Sequence, residues 1–230
     1  IEEHELDSNQ EDKLKNLFSR EYPILTSEKR LRAIAKDVVE HFNSRGYKGK
    51  AMFVAIDKVT AVRMYDYITE AWETYLKEQK KIIDKISDEQ EKLNKHRQWE
   101  WSNQTELGVV VSGEQNEIDK FEAWGLDIEP HRLKMNTSDL EKDFKDEDHP
   151  FRFAIVCAMW ITGFDVKSLS TMYIDKPLKS HTLMQTIARA NRVHKEKNNG
   201  LIVDYIETYK ALLEALAVYG DSGSKGDSPG

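Results

Sequence analysis

The chain has 230 residues, of which 41 are acidic and 34 basic, and its formal net charge is −7 at pH 7. This length can bury a full core as one domain with extensions, and the acidic balance excludes a uniformly basic surface, so nucleic acid could bind only at a local patch. One cysteine, Cys157, excludes an internal disulfide and favours a reducing cytoplasm, while no apolar run approaches the roughly 20 residues of a membrane span.

Five short, continuous apolar runs are predicted to be strands covered on both faces, because half-exposed strands would alternate apolar and polar residues. Residues 1–25 precede them as a connecting segment. Residues 26–46 form the first predicted helix, which starts at a Thr-Ser pair and ends at a glycine. In chain order the predicted strands are residues 51–56, 108–112, 153–159, 171–175 and 200–205.

Residues 58–106, between the first two strands, form an unusually long helical segment. They begin like an ordinary crossover helix, but apolar residues three, four or seven positions apart continue far beyond it, so a thin apolar stripe persists. This pattern predicts an elongated helix or a helical hairpin that projects from the sheet, as a solvated spacer rather than a partner-binding arm. Trp99 and Trp101, near its end, are expected to cap the core rather than to stack on bases.

Helical patterns also precede the third and fifth strands, at residues 137–146 and 181–195, and another follows the last strand at residues 207–220. This alternation predicts an α/β fold, a three-layer domain with a mainly parallel sheet. We expect the domain to cover residues 26–219. Residues 220–230 have the glycine- and serine-rich composition of a flexible tail or linker.

The predicted helix at residues 181–195 carries two arginines and a glutamine on one side. At about 100° per residue, Gln185, Arg189 and Arg192 lie within roughly 60° of one another, and apolar residues lie opposite. A guanidinium group is always charged and forks onto oxyanions, so this stripe could recognise a phosphate. On this stretch alone, a solvated polar face is the better explanation.

The carboxyl ends of the predicted strands are the expected place for a ligand, because open α/β sheets bind ligands there. After the third strand, Thr162 offers a hydroxyl to a phosphate, Gly163 permits close backbone approach, and Asp165 can accept from ribose hydroxyls or orient an arginine. A turn with an Asx-type cap explains the same short sequence equally well. The window from Lys176 to Lys197 holds six basic residues against one acid, which favours a phosphate-binding surface.

Several chemistries find no support in the sequence. It contains neither a G-x-x-x-x-G-K-[ST] phosphate loop nor a G-x-G-x-x-G fingerprint. Its histidines lack metal-ligand spacing and one cysteine cannot build a thiolate zinc site, so we predict no metal site. No serine or cysteine nucleophile has an identifiable base beside it. The chain therefore offers phosphate-recognising groups without the apparatus to hydrolyse a nucleotide.

Three segments, taken in order, resemble motifs of the second RecA-like lobe of superfamily-two helicases. Residues 50–68 resemble motif IV, residues 151–178 motif V and residues 183–193 motif VI. The run from 159 to 206 resembles one branch in particular, the motor (R) subunit of type I restriction enzymes. From about residue 26 to 150 the resemblance is in layout.

The resemblance implies an ATP site shared between two lobes, in which ATP and Mg²⁺ are held mainly by a first lobe outside this chain. Arg192 is then the arginine finger on the γ-phosphate and Arg189 its companion. Gln185 helps to sense the nucleotide, Asp165 contacts the ribose and Gly163 gives the turn. Candidates for contact with the DNA backbone are Thr162, Lys58, Ser112 and Gly113.

By this resemblance, the chain is a fragment of an ATP-dependent translocase of double-stranded DNA and is expected to be inactive by itself. Its implied partners are the first motor lobe and nuclease domain of the same subunit, and the methyltransferase and specificity subunits of a cytoplasmic restriction complex. Two alternatives stay open: a lobe of another superfamily-two helicase or remodeller, and a non-catalytic interaction module built on the long helical segment. Only the motor hypotheses require Arg189 and Arg192.

Overall fold

The computed structural model describes residues 21–45, 48–161, 164–178, 182, 184–186, 188 and 200–206. Within these ranges the chain forms an α/β domain with strands β1 (Lys50–Ala55), β2 (Glu106–Val110), β3 (Phe151–Val156), β4 (Leu169–Asp175) and β5 (Leu201–Asp204). The strands lie in the order β2-β3-β1-β4-β5, and every neighbouring pair is parallel. Each predicted strand is therefore confirmed.

The sheet is buried on both faces, which explains the continuous apolar sequences of its strands. All six residues of the central strand β1 are buried. Because successive side chains point to opposite faces, Ala51, Phe53 and Ala55 join one hydrophobic core, whereas Met52 and Val54 join a second. The sheet is thus the middle of three layers, and the predicted fold class, a RecA-like α/β domain with a mainly parallel sheet, is confirmed.

The helices with described bounds are α1 (Glu28–Ser44), α2 (Lys58–Ile83), α3 (Glu89–Asn103), α4 (Glu117–Glu122), α5 (Glu129–Thr137) and α6 (Leu140–Lys145). Aspartates precede several of them, because a carboxylate can accept a hydrogen bond from an otherwise unpaired N–H of the first turn. Asp57 accepts from Thr60 N at 2.7 Å, and Asp88 from Glu91 N at 2.7 Å. None of the described helices is long and apolar enough to cross a membrane.

The long segment between β1 and β2 is a helical hairpin of α2 and α3, as predicted. Trp72 of α2 donates its indole N–H to the carbonyl of Ser102 at 3.1 Å, and Trp99 of α3 donates back to a carbonyl of α2 at 3.0 Å. Trp101 stacks on Phe42 of the first core with ring centroids 5.5 Å apart, which confirms its predicted place. Trp99 closes the hairpin instead of the core.

Several predicted features fall partly or wholly outside the described residues. Of the helix predicted at residues 181–195, the described positions 182, 184–186 and 188 are helical. The helix predicted at residues 207–220 and the tail at 220–230 lie outside the described residues, as does most of the connecting segment predicted at residues 1–25.

Candidate functional site at the carboxyl edge of the sheet

The carboxyl ends of the parallel strands lie together at one edge of the sheet, where open α/β folds bind their ligands. In the register, Ala55 at the end of β1 pairs with Asp175 at the end of β4. The next residue, Lys176, reaches across the end of β1 and donates from Nζ to the carbonyl of Cys157, just after β3, at 2.8 Å. One lysine therefore links the ends of β4 and β3, the two neighbours of β1.

Cys157 lies at the centre of this edge but is unsuited to nucleophilic catalysis. Its side chain is buried, and burial raises the pKa of its thiol. Lys176 and Lys58 oppose this shift, but burial has the larger effect. Because the thiolate rather than the thiol is the nucleophile, burial and the raised pKa both disfavour nucleophilic attack by Cys157.

Lys58, predicted to contact DNA, forms an ion pair inside the domain. Its Nζ lies 3.0 Å from Oε2 of Glu114, and Nζ of Lys120 lies 2.6 Å from Oε1 of the same carboxylate. The hydrogen bonds from Lys120 and Lys58 hold the pKa of Glu114 below its usual value. One carboxylate thus binds two ammonium groups at the ends of β1 and β2, and the DNA contact of Lys58 stays a prediction.

Arg132 of α5 holds the loop that follows β2. Its guanidinium binds both carboxylate oxygens of Glu117 at 2.5 and 2.7 Å and donates to the carbonyls of Val111 at 2.6 Å and Ser112 at 2.8 Å. Ser112, a predicted DNA contact, therefore uses its carbonyl within the domain. At Gly113, also a predicted DNA contact, an added Cβ would meet nothing within 4 Å, so that side of the loop is open.

The loop from β3 to β4 is anchored by an aromatic pair on either side of residues 162–163. Trp160 and Phe164 stack with ring centroids 4.1 Å apart and planes 11° apart. Trp160 has a left-handed backbone conformation, with φ of 67°, which is unusual for a bulky residue. Its ring lies 6.5 Å from that of Phe151, the first residue of β3, so the loop folds back along the second core.

Asp165 follows this pair and precedes the turn that leads into β4, and its predicted contact with a ribose stays a prediction. Leu169 N donates to the carbonyl of Val166 at 3.3 Å, which closes a turn just before β4. Lys50 N, at the start of β1, donates to the carbonyl of Ser168 at 3.0 Å. Because parallel β4 must begin at the edge opposite to the end of β3, the connection between the two strands crosses the sheet.

Residues 21–30 bind to the carboxyl edge of the sheet through two aspartates, Asp175 and Asp57. Arg30 binds Asp175 through NH2–Oδ1 at 2.6 Å and NH1–Oδ2 at 3.1 Å, and it donates to the carbonyl of Tyr205 at 3.0 Å. Burial raises the pKa of Asp175, and Arg30 opposes that shift. The hydroxyl of Tyr22 donates to Asp57, and burial followed by that hydrogen bond raises the pKa of Tyr22 to about 12.

The predicted nucleotide-binding residues are only partly within the described chain. Gln185 is exposed on its helix and the next residue, Thr186, is fully buried, so this helix presents one side to the domain and Gln185 to solvent. Asp165 is also exposed. Among the described residues, no group of three His, Cys, Asp or Glu side chains is placed to hold a metal ion. Thr162, Gly163, Arg189 and Arg192 lie outside the described residues, and their roles stay predictions.

Sequence reasoning missed Glu114, Lys120 and Arg132. The signal available for Glu114 was its place directly after the predicted strand end at residues 108–112. Its partner Lys58 is 56 positions away, and a contact of that sequence separation depends on the strand order. No local pattern could have revealed the pairing.

Comparison with known proteins places this domain in a family. A model of the family described as "Type I restriction enzyme subunit R domain 3" matches residues 47–207. The type I restriction enzyme HindI endonuclease subunit of Haemophilus influenzae is 33% identical over 210 residues, which are 88% of this chain and 17% of that protein. A Methanocaldococcus jannaschii protein named as the MjaIXP endonuclease subunit is 35% identical over 222 residues, 95% of this chain and 18% of that protein.

A shorter stretch is more similar to a Staphylococcus aureus relative. The type I restriction enzyme SauCOLORF180P endonuclease subunit is 45% identical over 74 residues, which are 32% of this chain and 8% of that protein. The chain spans 18% of the M. jannaschii relative and 17% of the H. influenzae relative, slightly less than a fifth of each. The chain belongs to the family of type I restriction enzyme R subunits, in which it matches domain 3.

Proposed function

We propose that this chain is the second motor lobe of an R subunit that translocates double-stranded DNA at the expense of ATP. The observation that supports this best is the assembly of lysines at the carboxyl ends of the central strands, in a domain whose sequence resembles motifs IV, V and VI. Family membership in type I restriction enzymes removes the alternative of a helicase or remodeller outside restriction. The non-catalytic interaction module remains the competing hypothesis.

The lobe contributes to a nucleotide site that another lobe completes. Arg192 and Arg189 would bind the γ-phosphate, Gln185 the nucleotide and Asp165 the ribose, with Gly163 in the turn. The exposed carboxylate of Asp165 and the exposed amide of Gln185 suit this role, because both accept hydrogen bonds from hydroxyls and the amide also donates. When bound, ATP with its Mg²⁺ would supply the phosphoanhydride chemistry that drives translocation.

The same lobe would follow the DNA backbone. Lys58 and Lys176 at the carboxyl edge provide cations for phosphate oxygens, and the open side of Gly113 leaves room for close approach of a backbone. Thr162 and Ser112 are further predicted contacts. Contacts to phosphates position a protein on DNA without reading bases, so translocation should be largely independent of sequence.

The experiment compares the chain alone with the chain joined to its upstream lobe. Purified residues 1–230 are expected to show no ATP hydrolysis with or without DNA, because the phosphate loop and the Mg²⁺-binding acids belong to the other lobe. The joined protein is expected to hydrolyse ATP in response to double-stranded DNA. Robust hydrolysis by the chain alone, or none by the joined protein, would contradict the shared site.

A further inference from the structure

Glu114 places one carboxylate between two ammonium groups that come from different elements. Lys58 is the first residue of α2 and Lys120 lies in α4, and their Nζ atoms are 3.0 and 2.6 Å from opposite oxygens of Glu114. The side chains of Lys58, Lys120 and Glu114 are 21, 54 and 28% exposed, respectively. The cluster is therefore built at the surface, where a ligand can reach it.

The backbone of the loop that carries Glu114 is held by hydrogen bonds. Glu114 N donates to Oε2 of Glu117 at 3.3 Å, and Arg132 binds both oxygens of that carboxylate. Asn116 turns the chain with a left-handed φ of 54° immediately before α4. Arg132 also holds the carbonyl of Ser112 at 2.8 Å, so both ends of the loop are held.

We propose that Lys58 and Lys120 form a binding site for one phosphate group of the DNA backbone, and that Glu114 occupies this site until DNA displaces it. The inference rests on the proposed function, because it requires that this edge contacts DNA. A carboxylate and a phosphate are both oxyanions that accept from ammonium groups. Glu114 therefore takes the place of the phosphate in the free protein.

A polyanion is the ligand that can outcompete Glu114. DNA presents many phosphates at once and releases condensed counterions when lysines neutralise them, whereas Glu114 offers a single, partly exposed carboxylate. Lys176 lies at the same edge and offers a further cation to a neighbouring phosphate. Among the described residues other than Gly113 and its two chain neighbours, no atom lies within 4 Å of a Cβ built on Gly113, which leaves space for DNA beside Glu114. In the free protein, Glu114 therefore weakens the binding of other polyanions to Lys58 and Lys120.

Glu114→Gln tests the proposal by fluorescence anisotropy of residues 1–230 with a labelled 20-base-pair duplex at several salt concentrations. Each surface ion pair that DNA no longer has to break raises the affinity for DNA by a factor of about 1.5–5, and Glu114 makes two such pairs, both partly exposed. We expect binding about fivefold tighter than wild type and a slope of log affinity against log salt steeper by about one. Lys120→Gln, added to Glu114→Gln, is expected to reverse both changes.

Glu141→Gln is the matched control. It removes the same charge from an exposed carboxylate that pairs with Lys145 at 2.5 Å on α6, away from the carboxyl edge. If Glu114→Gln binds DNA no more tightly than Glu141→Gln, or if no variant binds the duplex at 50 mM salt, the proposal is wrong. The binding of inorganic phosphate to the same variants is measured at constant ionic strength. If Glu114→Gln tightens the binding of phosphate and of DNA equally, the assignment of the site to DNA is wrong.

The outcome also separates this inference from the proposed function. If Glu114→Gln has no effect while the joined protein still hydrolyses ATP in response to DNA, the phosphate site fails and the motor assignment stands. If the joined protein shows no such hydrolysis, the motor assignment itself fails.

Discussion

Replacing the buried Lys50 with methionine probes the cost of a charge at the amino edge of the sheet. Lys50 is the first residue of β1 and only 1% exposed. Its Nζ donates to the carbonyl of Asp143 at 2.8 Å and lies 5.3 Å from the centre of the Phe144 ring. Burial is the main reason why the pKa of Lys50 falls from 10.5 to about 8, because a low-dielectric site disfavours the charged form.

The sign of the resulting pH dependence follows from proton binding. Between pH 8 and 10.5 the unfolded chain keeps the Lys50 proton while the folded chain loses it, so the free energy of unfolding rises with pH in this window. A pKa difference of 2.5 units, at about 1.36 kcal/mol per unit, gives a full effect of about 3 kcal/mol. Below pH 8 both states are protonated, and the folded protein carries the whole cost of the buried charge.

Urea unfolding of wild type and Lys50→Met at pH 7, 8, 9 and 10 measures the effect. Other groups, such as Tyr22, also titrate differently in the two states but contribute equally to both proteins. We expect the stability of wild type relative to Lys50→Met to rise by about 2–3 kcal/mol between pH 7 and pH 10. Lys145→Met is the control, because that side chain is 43% exposed. A difference between wild type and Lys50→Met that stays constant with pH would refute the reasoning.

Further substitutions test the packing at the two edges. Arg30→Met leaves the buried carboxylate of Asp175 (2% exposed) without its ion pair and should cost about 3 kcal/mol in urea unfolding. Arg32→Met, at an arginine that is 45% exposed, should cost much less stability because solvent screens a surface ion pair, and equal losses would contradict the role of burial. Gly108→Ala places a Cβ 2.7 Å from the aromatic ring of the first residue of β3 and should cost about 1–3 kcal/mol. Gly113→Ala meets open space and should change stability by less than about 0.5 kcal/mol; a reversed order would count against the packing described.

The sequence was sufficient to predict the sheet, because a strand that is buried on both faces has a continuous run of apolar residues. Runs such as residues 51–56 and 171–175 are continuously apolar, and the corresponding strands β1 and β4 are buried along their whole length. The hairpin at residues 58–106 was predictable for a related reason, since its thin apolar stripe continues over more residues than an ordinary crossover helix contains. In both cases neighbouring residues carry the information.

The candidate site was less predictable, because its geometry depends on how the strands are ordered and connected. Lys58 was singled out by its place at a strand end, but its pairing with Glu114 requires knowledge that β2 lies two strands away from β1. Asp165 was assigned to the carboxyl edge because it follows the third strand. The connection to parallel β4 has to cross the sheet, and no local pattern in the sequence predicts the path that it takes.

Arg192 is proposed to act on a nucleotide that another lobe holds. The most direct measurement is DNA-stimulated ATP turnover by the complete subunit carrying Arg192→Ala, with Arg32→Ala as a matched loss of an exposed arginine. An arginine finger is typically worth about 10³–10⁵ in turnover, so Arg192→Ala should lose at least about 10³-fold in kcat with its unfolding midpoint unchanged, while Arg32→Ala keeps nearly full activity. Turnover by Arg192→Ala within a few fold of wild type would contradict the motor assignment and favour a non-catalytic module.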